Sequence, residues 1–211
     1  MRTLYVVTHP EATHHVERVV GGWHDSALTA RGAAAAQAIA SALRAEVPDG
    51  AEVELWSSDL QRTAQTAEVI GAAFGVRPVF DGRLREKSFG EAEGKPQEWL
   101  DARRIAPPAV GDRMAHTGGI AGLEPDSAVA QRVYAAVDEI ADRPCAHQIV
   151  VTHGYALTFV VAAWVRMPVA SLGYAVFKAG SGSITTLVED DFYRSRAVVR
   201  LGEVGHLGSV G

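Results

Sequence analysis

Short apolar runs in this 211-residue chain stop on the same kind of residue. Leu4 to Val7 ends at Thr8-His9, Val53 to Trp56 at Ser57-Ser58, and Gln148 to Val151 at Thr152-His153. Each is brief and rich in β-branched or aromatic side chains, the signature of a buried strand. Helical sequence lies between them. Thr29 is a good N-cap for an alanine-rich stretch to about Arg44, closed by Pro48-Asp49-Gly50. Ser58 or Asp59 can cap a second helix to about Phe74, where Gly75 stops it. Val76 to Phe80 reads as a short strand, Ser127 to Ala141 as a helix, and an apolar helix follows His153-Gly154 to about Arg166. Ser183 to Val188 and Ala197 to Leu201 read as closing strands. This alternation predicts an α/β fold of three layers, a mostly parallel sheet with helices on both faces.

No repeat, linker or low-complexity stretch divides the chain, so residues 1–211 are expected to form a single domain. The segment from about 87 to 126 is irregular, with Pro96, Pro107, Pro108 and several glycines. So long an irregular stretch inside a compact domain is usually functional, and a lid is expected there.

In open parallel sheets, ligands sit at the carboxyl ends of the strands. His9 and His153 are therefore expected to share one site. Arg62, one turn into the helix after the second strand, would point into the same crevice. A planar fork of donors beside two imidazoles suits a phosphate, and helix N-termini add backbone donors.

Composition narrows the partners. Lys plus Arg is 20 against 25 Asp plus Glu, and no basic run breaks the mild acidity, which argues against a nucleic-acid partner. Cys145 is the single cysteine, so neither a disulfide framework nor a cysteine-based zinc site is expected. His24, His116, His147 and His206 lack metal-ligand spacing, and no metal or cofactor is expected. Phe159 to Val165 is the longest apolar segment, far below the ~20 residues that span a bilayer, and the N-terminus lacks a signal-peptide core. A cytoplasmic protein with no membrane partner is expected. Oligomeric state is not legible, and a homodimer is compatible with the sequence.

Five ordered segments resemble the histidine phosphatase superfamily, which includes the phosphoglycerate mutases. They are Val7-Thr8-His9-Pro10-Glu11-Ala12, the stretch from Gly22-Trp23 to Leu28-Thr29-Ala30-Arg31-Gly32, the stretch from Ser57-Ser58 to Ala67, Leu84-Arg85-Glu86 to Gly94, and Val150-Val151-Thr152-His153-Gly154. The resemblance implies a phosphoglycerate mutase-like fold and assigns roles residue by residue. His9 falls on the nucleophile that forms a phosphohistidine, Arg62 on a phosphate-binding arginine, and His153 on the second histidine. The Gly154 amide can donate to the same oxygens. Glu86 falls on the acid that protonates the leaving oxygen and then activates water. His15 stands where many members carry a phosphate-contacting asparagine.

The chain departs from the family pattern at Thr8, which replaces an arginine, and at Pro10, which replaces a glycine. His14, His15, Arg18 and Lys87 are the candidates to make up the missing cation. Arg103, Arg104 and Arg113 in the lid are candidates for a second anionic group. Trp23, Trp99, Phe89 and Met114 are expected to serve packing, and Glu11 a supporting role. The implied activity is metal-independent hydrolysis of a small phosphomonoester through His9. The alternative is a degenerate member with little phosphatase activity, binding a ligand or redirected to other chemistry. A mutase is the third reading, disfavoured by the sequence after Gly90.

Overall fold

The computed structural model describes residues 1–208. A six-stranded sheet has the order β3-β2-β4-β1-β5-β6. Its strands are β1 (Arg2–Thr8), β2 (Val53–Ser57), β3 (Val79–Phe80), β4 (His147–Thr152), β5 (Ile184–Glu189) and β6 (Arg196–Glu203). β3, β2, β4 and β1 run parallel, whereas β5 is antiparallel to β1, and β6 to β5. The predicted mostly parallel sheet is therefore present, with an antiparallel hairpin on one side.

Side chains alternate across each strand, and both faces are covered. Tyr5, Val7, Leu55, Ile149 and Val151 pack with Ile39, Leu43 and Ile70 from α2 (Ala30–Glu46) and α3 (Gln61–Phe74). Leu4, Val6, Val150 and Leu187 face Val133, Val137, Phe159 and Trp164 from α5 (Asp126–Asp142) and α6 (Ala156–Trp164). Every residue of α6 is buried, which is why it reads as apolar on all sides.

The register positions the site. Thr8 of β1 lies opposite Thr152 of β4, so His9 and His153 leave the sheet side by side. Ser57 pairs with Val151 on the other edge of β4, which delivers Ser58 to the same end.

The structure corrects some local expectations. Neither Ser58 nor Asp59 caps α3. Its N-cap is Leu60, and the Gln61 N–H is satisfied at 2.7 Å by Asp25 from a distant loop. Asp59 instead pairs with Arg85 at 2.6 Å. The strand expected over Val76 to Phe80 shrinks to Val79–Phe80, because only Trp56 and Ser57 extend far enough to pair with it. Segment 87–126 is less irregular than its prolines suggest. It contains α4 (Gln97–Asp101) and a 3-10 turn at Gly90–Ala92, and it builds a small core of Val20, Ala92, Leu100, Ile120 and Leu123 against Phe89 and Trp99. Met114 joins the main core. Trp23 is not a core residue: it is 38% exposed, and its indole N–H donates to the Glu86 carbonyl. The short α1 (Thr13–Glu17) follows β1.

Candidate active site

His9 sits just beyond β1. Its N–H donates to Thr152 O at 3.0 Å, and its carbonyl accepts from the Ser181 hydroxyl at 2.9 Å. The ring Nδ1 lies 2.8 Å from Pro10 O. A carbonyl can only accept, so Nδ1 carries the proton and Nε2 keeps its lone pair. Pro10, the departure from glycine, thus still supplies the carbonyl that orients the imidazole. Burial first, and the Arg62 charge second, hold His9 well below the usual histidine range, with the Pro10 contact opposing. The ring is neutral at pH 7.

Arg62, the second residue of α3, is 1% exposed and donates from Nε to His9 Nε2 at 3.2 Å. Its terminal nitrogens donate to His24 O at 2.8 Å and Gly22 O at 2.6 Å, so the Gly22-Trp23-His24 loop fixes the fork. Burial lowers its pKa to about 10, which leaves it charged at neutral pH.

The His153 ring centroid is 5.1 Å from that of His9, nearly perpendicular at 68°. Its Nε2 is 2.9 Å from the Ser58 hydroxyl, and Nδ1 is buried without a partner among the described residues. Burial, then Arg62 and His9, push its pKa well down. Glu86 approaches from the third side. One oxygen accepts the Lys87 and Ala156 N–H groups at 2.9 Å, and the other accepts Tyr155 N–H at 3.0 Å. Desolvation raises its pKa, while these amides and Arg62 partly oppose the shift.

His15 stacks on His9 at 5.6 Å and 15°. Its Nδ1 accepts the Ala12 N–H at 3.1 Å, so Nε2 carries the proton and offers a neutral donor, as an asparagine amide would. His14 lies 4.0 Å from His15, is tied to Ser26 at 2.6 Å, and has its pKa lowered to about 3, chiefly by burial. Neither histidine replaces a missing guanidinium with charge. Lys87 pairs with Asp126 at 2.7 Å, and Arg18 stands on the rim of the cavity.

Thr8 has a different occupation. Its hydroxyl donates to Gly180 O at 2.6 Å, lies 3.0 Å from the Ser183 hydroxyl, and accepts Ser183 N–H at 3.0 Å. It seals β1 against the segment entering β5. Thr8→Val keeps the shape and leaves the Gly180 carbonyl and Ser183 amide without this partner. A loss of about 1–3 kcal/mol is expected in urea denaturation, and an unchanged midpoint would show that the seal carries no stability.

His9, His15, Arg62, Glu86 and Gly154 line one cavity of about 790 Å³, with Thr8, Ser181 and the Arg18 rim. His153 is buried beside it rather than on its surface. Arg103, Arg104 and Arg113 do not line it. Arg103 stacks on Trp99, Arg104 pairs with Asp101 at 3.4 Å, and Arg113 donates to Gly173 O at 2.5 Å. Ser58, which contacts the His153 imidazole, and Ser181, which holds the His9 carbonyl, are not among the residues the sequence assigns to the site. The Ser57-Ser58 strand end hinted at the first, and nothing local marks the second. Among the described residues, no group of three or more His, Cys, Asp or Glu is arranged to hold a metal ion, and no helix is long and apolar enough to cross a membrane.

Two imidazoles, a guanidinium and a carboxyl group converging at the ends of parallel strands define a class, and sequence comparison agrees. The sequence model of the histidine phosphatase superfamily (branch 1) matches residues 4–200, and the chain belongs to that family. The relatives span phosphatases and mutases. The chain is 30% identical over 209 residues to probable phosphoglycerate mutase GpmB of Salmonella paratyphi C, covering 98% of this chain and 95% of the relative. A mycobacterial glucosyl-3-phosphoglycerate phosphatase superposes with a TM-score of 0.78 at 26% identity, over 97% of this chain and 100% of the other. Bacillus stearothermophilus YhfR superposes at 0.76 with 27% identity, over 98% and 100%.

Proposed function

We propose that the protein hydrolyses a small phosphomonoester, without a metal, through a phosphohistidine on His9 Nε2. The observation that carries this reading is the His9 tautomer. With Nδ1–H on Pro10 O, the lone pair of Nε2 faces the cavity lining at Arg62 Nε–H, 3.2 Å away, and becomes the attacking pair once a phosphoryl oxygen takes over that donor. In the first step Nε2 bonds to phosphorus, the bond to the leaving oxygen breaks, and the Glu86 carboxyl proton goes to that oxygen. In the second, the Glu86 carboxylate takes a proton from water, the hydroxyl bonds to phosphorus, and the P–N bond breaks to release inorganic phosphate and neutral His9. Arg62, His15 Nε2–H and the Gly154 amide would hold the phosphoryl oxygens, with His153 beside them. Glucosyl-3-phosphoglycerate and phosphoglycerate chemistry belong to the named relatives. For this chain, release of inorganic phosphate rather than its return to an acceptor separates phosphatase from mutase.

The test is trapping. An alkaline quench during turnover of an aryl phosphate, followed by peptide mass spectrometry, is expected to find a phosphoryl group on the peptide carrying His9. Turnover with no such adduct would remove the reading.

The pKa directions set a pH profile. His9 must be neutral and is lowered, so activity lost by its protonation disappears only well below its ordinary value of about 6.5. Glu86 must be protonated and is raised, so activity falls as pH rises through a pKa above the usual carboxylate range. An acidic optimum in kcat/KM is expected. Glu86→Gln should abolish the basic limb and slow an alkyl phosphate by about 10²–10⁴-fold, with a smaller effect on nitrophenyl phosphate, whose leaving group needs no proton. Equal losses on both substrates would contradict the assignment.

The position of Thr8 favours slow turnover. A charge-assisted contact is worth roughly 1.5–3 kcal/mol, and the Thr8 hydroxyl is engaged with Gly180 and Ser183. Rates about ten- to a few-hundred-fold below those of an arginine-bearing site follow. In the limit, the protein would act as a ligand-binding member of the family.

A further inference from the structure

The cavity above His9, about 790 Å³, has far more room than a phosphoryl group needs, and the excess must hold the leaving group. Its outer wall is a paired ribbon. Val20 N–H donates to Lys95 O, Gly94 N–H to Val20 O and Gln97 N–H to Arg18 O, each at 2.9 Å, with a bridge between Val19 and Pro96. The ribbon ties the end of α1 to the start of α4. It holds Arg18 in the left-handed region at φ 56°, a conformation that disfavours any residue but glycine.

This ribbon presents Glu17, Arg18, Gln97 and Glu98 to the cavity. Among the described residues, Glu17, Arg18 and Glu98 enter no ion pair. Two carboxylates against one guanidinium leave this part of the lining net negative, whereas Arg62 makes the lining beside His9 cationic. Carboxylates accept from hydroxyl groups, the guanidinium donates to them, and the glutamine amide does both. Phe89 and Pro96 on the same cavity wall offer an apolar strip for the C–H face of a ring.

We propose that this rim selects a phosphomonoester whose leaving group is neutral and polyhydroxylated, as in a sugar phosphate, and disfavours one whose leaving group carries a carboxylate. The inference rests on the phosphomonoesterase reading for the orientation of the ligand, phosphate inward and leaving group at the rim. A carboxylate there would face Glu17 and Glu98 with only Arg18 to offset them.

The test is calorimetric titration in the His9→Ala background, so that turnover does not interfere. The probes are glucose 6-phosphate and 3-phosphoglycerate. Glucose 6-phosphate is expected to bind about tenfold tighter. Adding Glu17→Gln and Glu98→Gln together should narrow that ratio at least about fivefold, weakening the sugar phosphate and strengthening the carboxylate. Equal affinities, preference for 3-phosphoglycerate, binding of neither, or an unchanged ratio in the folded double variant would overturn the proposal. Hydrolysis of p-nitrophenyl phosphate by the wild type reads the phosphoryl-transfer assignment separately. No hydrolysis alongside a retained sugar preference would remove the enzyme and keep the rim.

Discussion

His9→Ala is expected to lower kcat/KM for p-nitrophenyl phosphate by about 10⁴-fold or more, because removing a nucleophile removes the covalent route altogether. No neighbour can substitute. His153 is buried with Nε2 engaged by Ser58, His14 is tied to Ser26, and His15 has its only lone pair on the Ala12 amide. The fold should survive, since the imidazole's hydrogen bonds go only to Arg62 and the adjacent Pro10 carbonyl and its other contacts are with neighbouring histidine rings. Cooperative unfolding of the variant near the wild-type midpoint would show this. Equal residual rates in the two proteins would mean that His9 Nε2 is not the attacking atom.

Gly32→Ala is expected to destabilise the protein by about 3 kcal/mol, although alanine ordinarily favours a helix interior by about 1 kcal/mol over glycine. Gly32 lies in the first turn of α2, and a Cβ there would come within 1.9 Å of the Glu11 carbonyl oxygen. Neither side can give. The Gly32 N–H is held by the Thr29 hydroxyl at 3.0 Å, that hydroxyl donates to Glu11 Oε1 at 2.7 Å, and Thr29 N–H donates to Glu11 O at 3.1 Å. Urea denaturation reads the loss. Because Glu11 precedes Ala12, whose N–H orients His15, phosphate or vanadate affinity should fall as well. A variant as stable as the wild type would show that α2 and the His9 loop do not cross this closely.

Much of this architecture could be read from the chain because it depends on local periodicity. Strands β1, β2 and β4 announce themselves by β-branched runs, and α2 by Thr29 and its alanines. Parallel strands with polar ends bring His9 and His153 together without knowledge of the register. What escaped reading depends on partners distant in sequence or on backbone groups that carry no sequence signal. The start of α3 is satisfied by Asp25, which no pattern around Ser58 reveals. Thr8 looks like a lost arginine, yet its hydroxyl closes a contact with Gly180 and Ser183, far along the chain. The tautomers of His9 and His15 are set by backbone groups of Pro10 and Ala12, which any residue at those positions could supply.

The Glu86 carboxylate is bound to the amides of Tyr155, the N-cap of α6, and Ala156, its first residue, and α6 is buried along its whole length. Each time that carboxyl gains a proton, its bonds from these amides lose their charge assistance and weaken, although both oxygens can still accept. The helix end thereby senses the acid's charge, and the amide resonances of Tyr155 and Ala156 should shift together as the solution is acidified through the Glu86 titration.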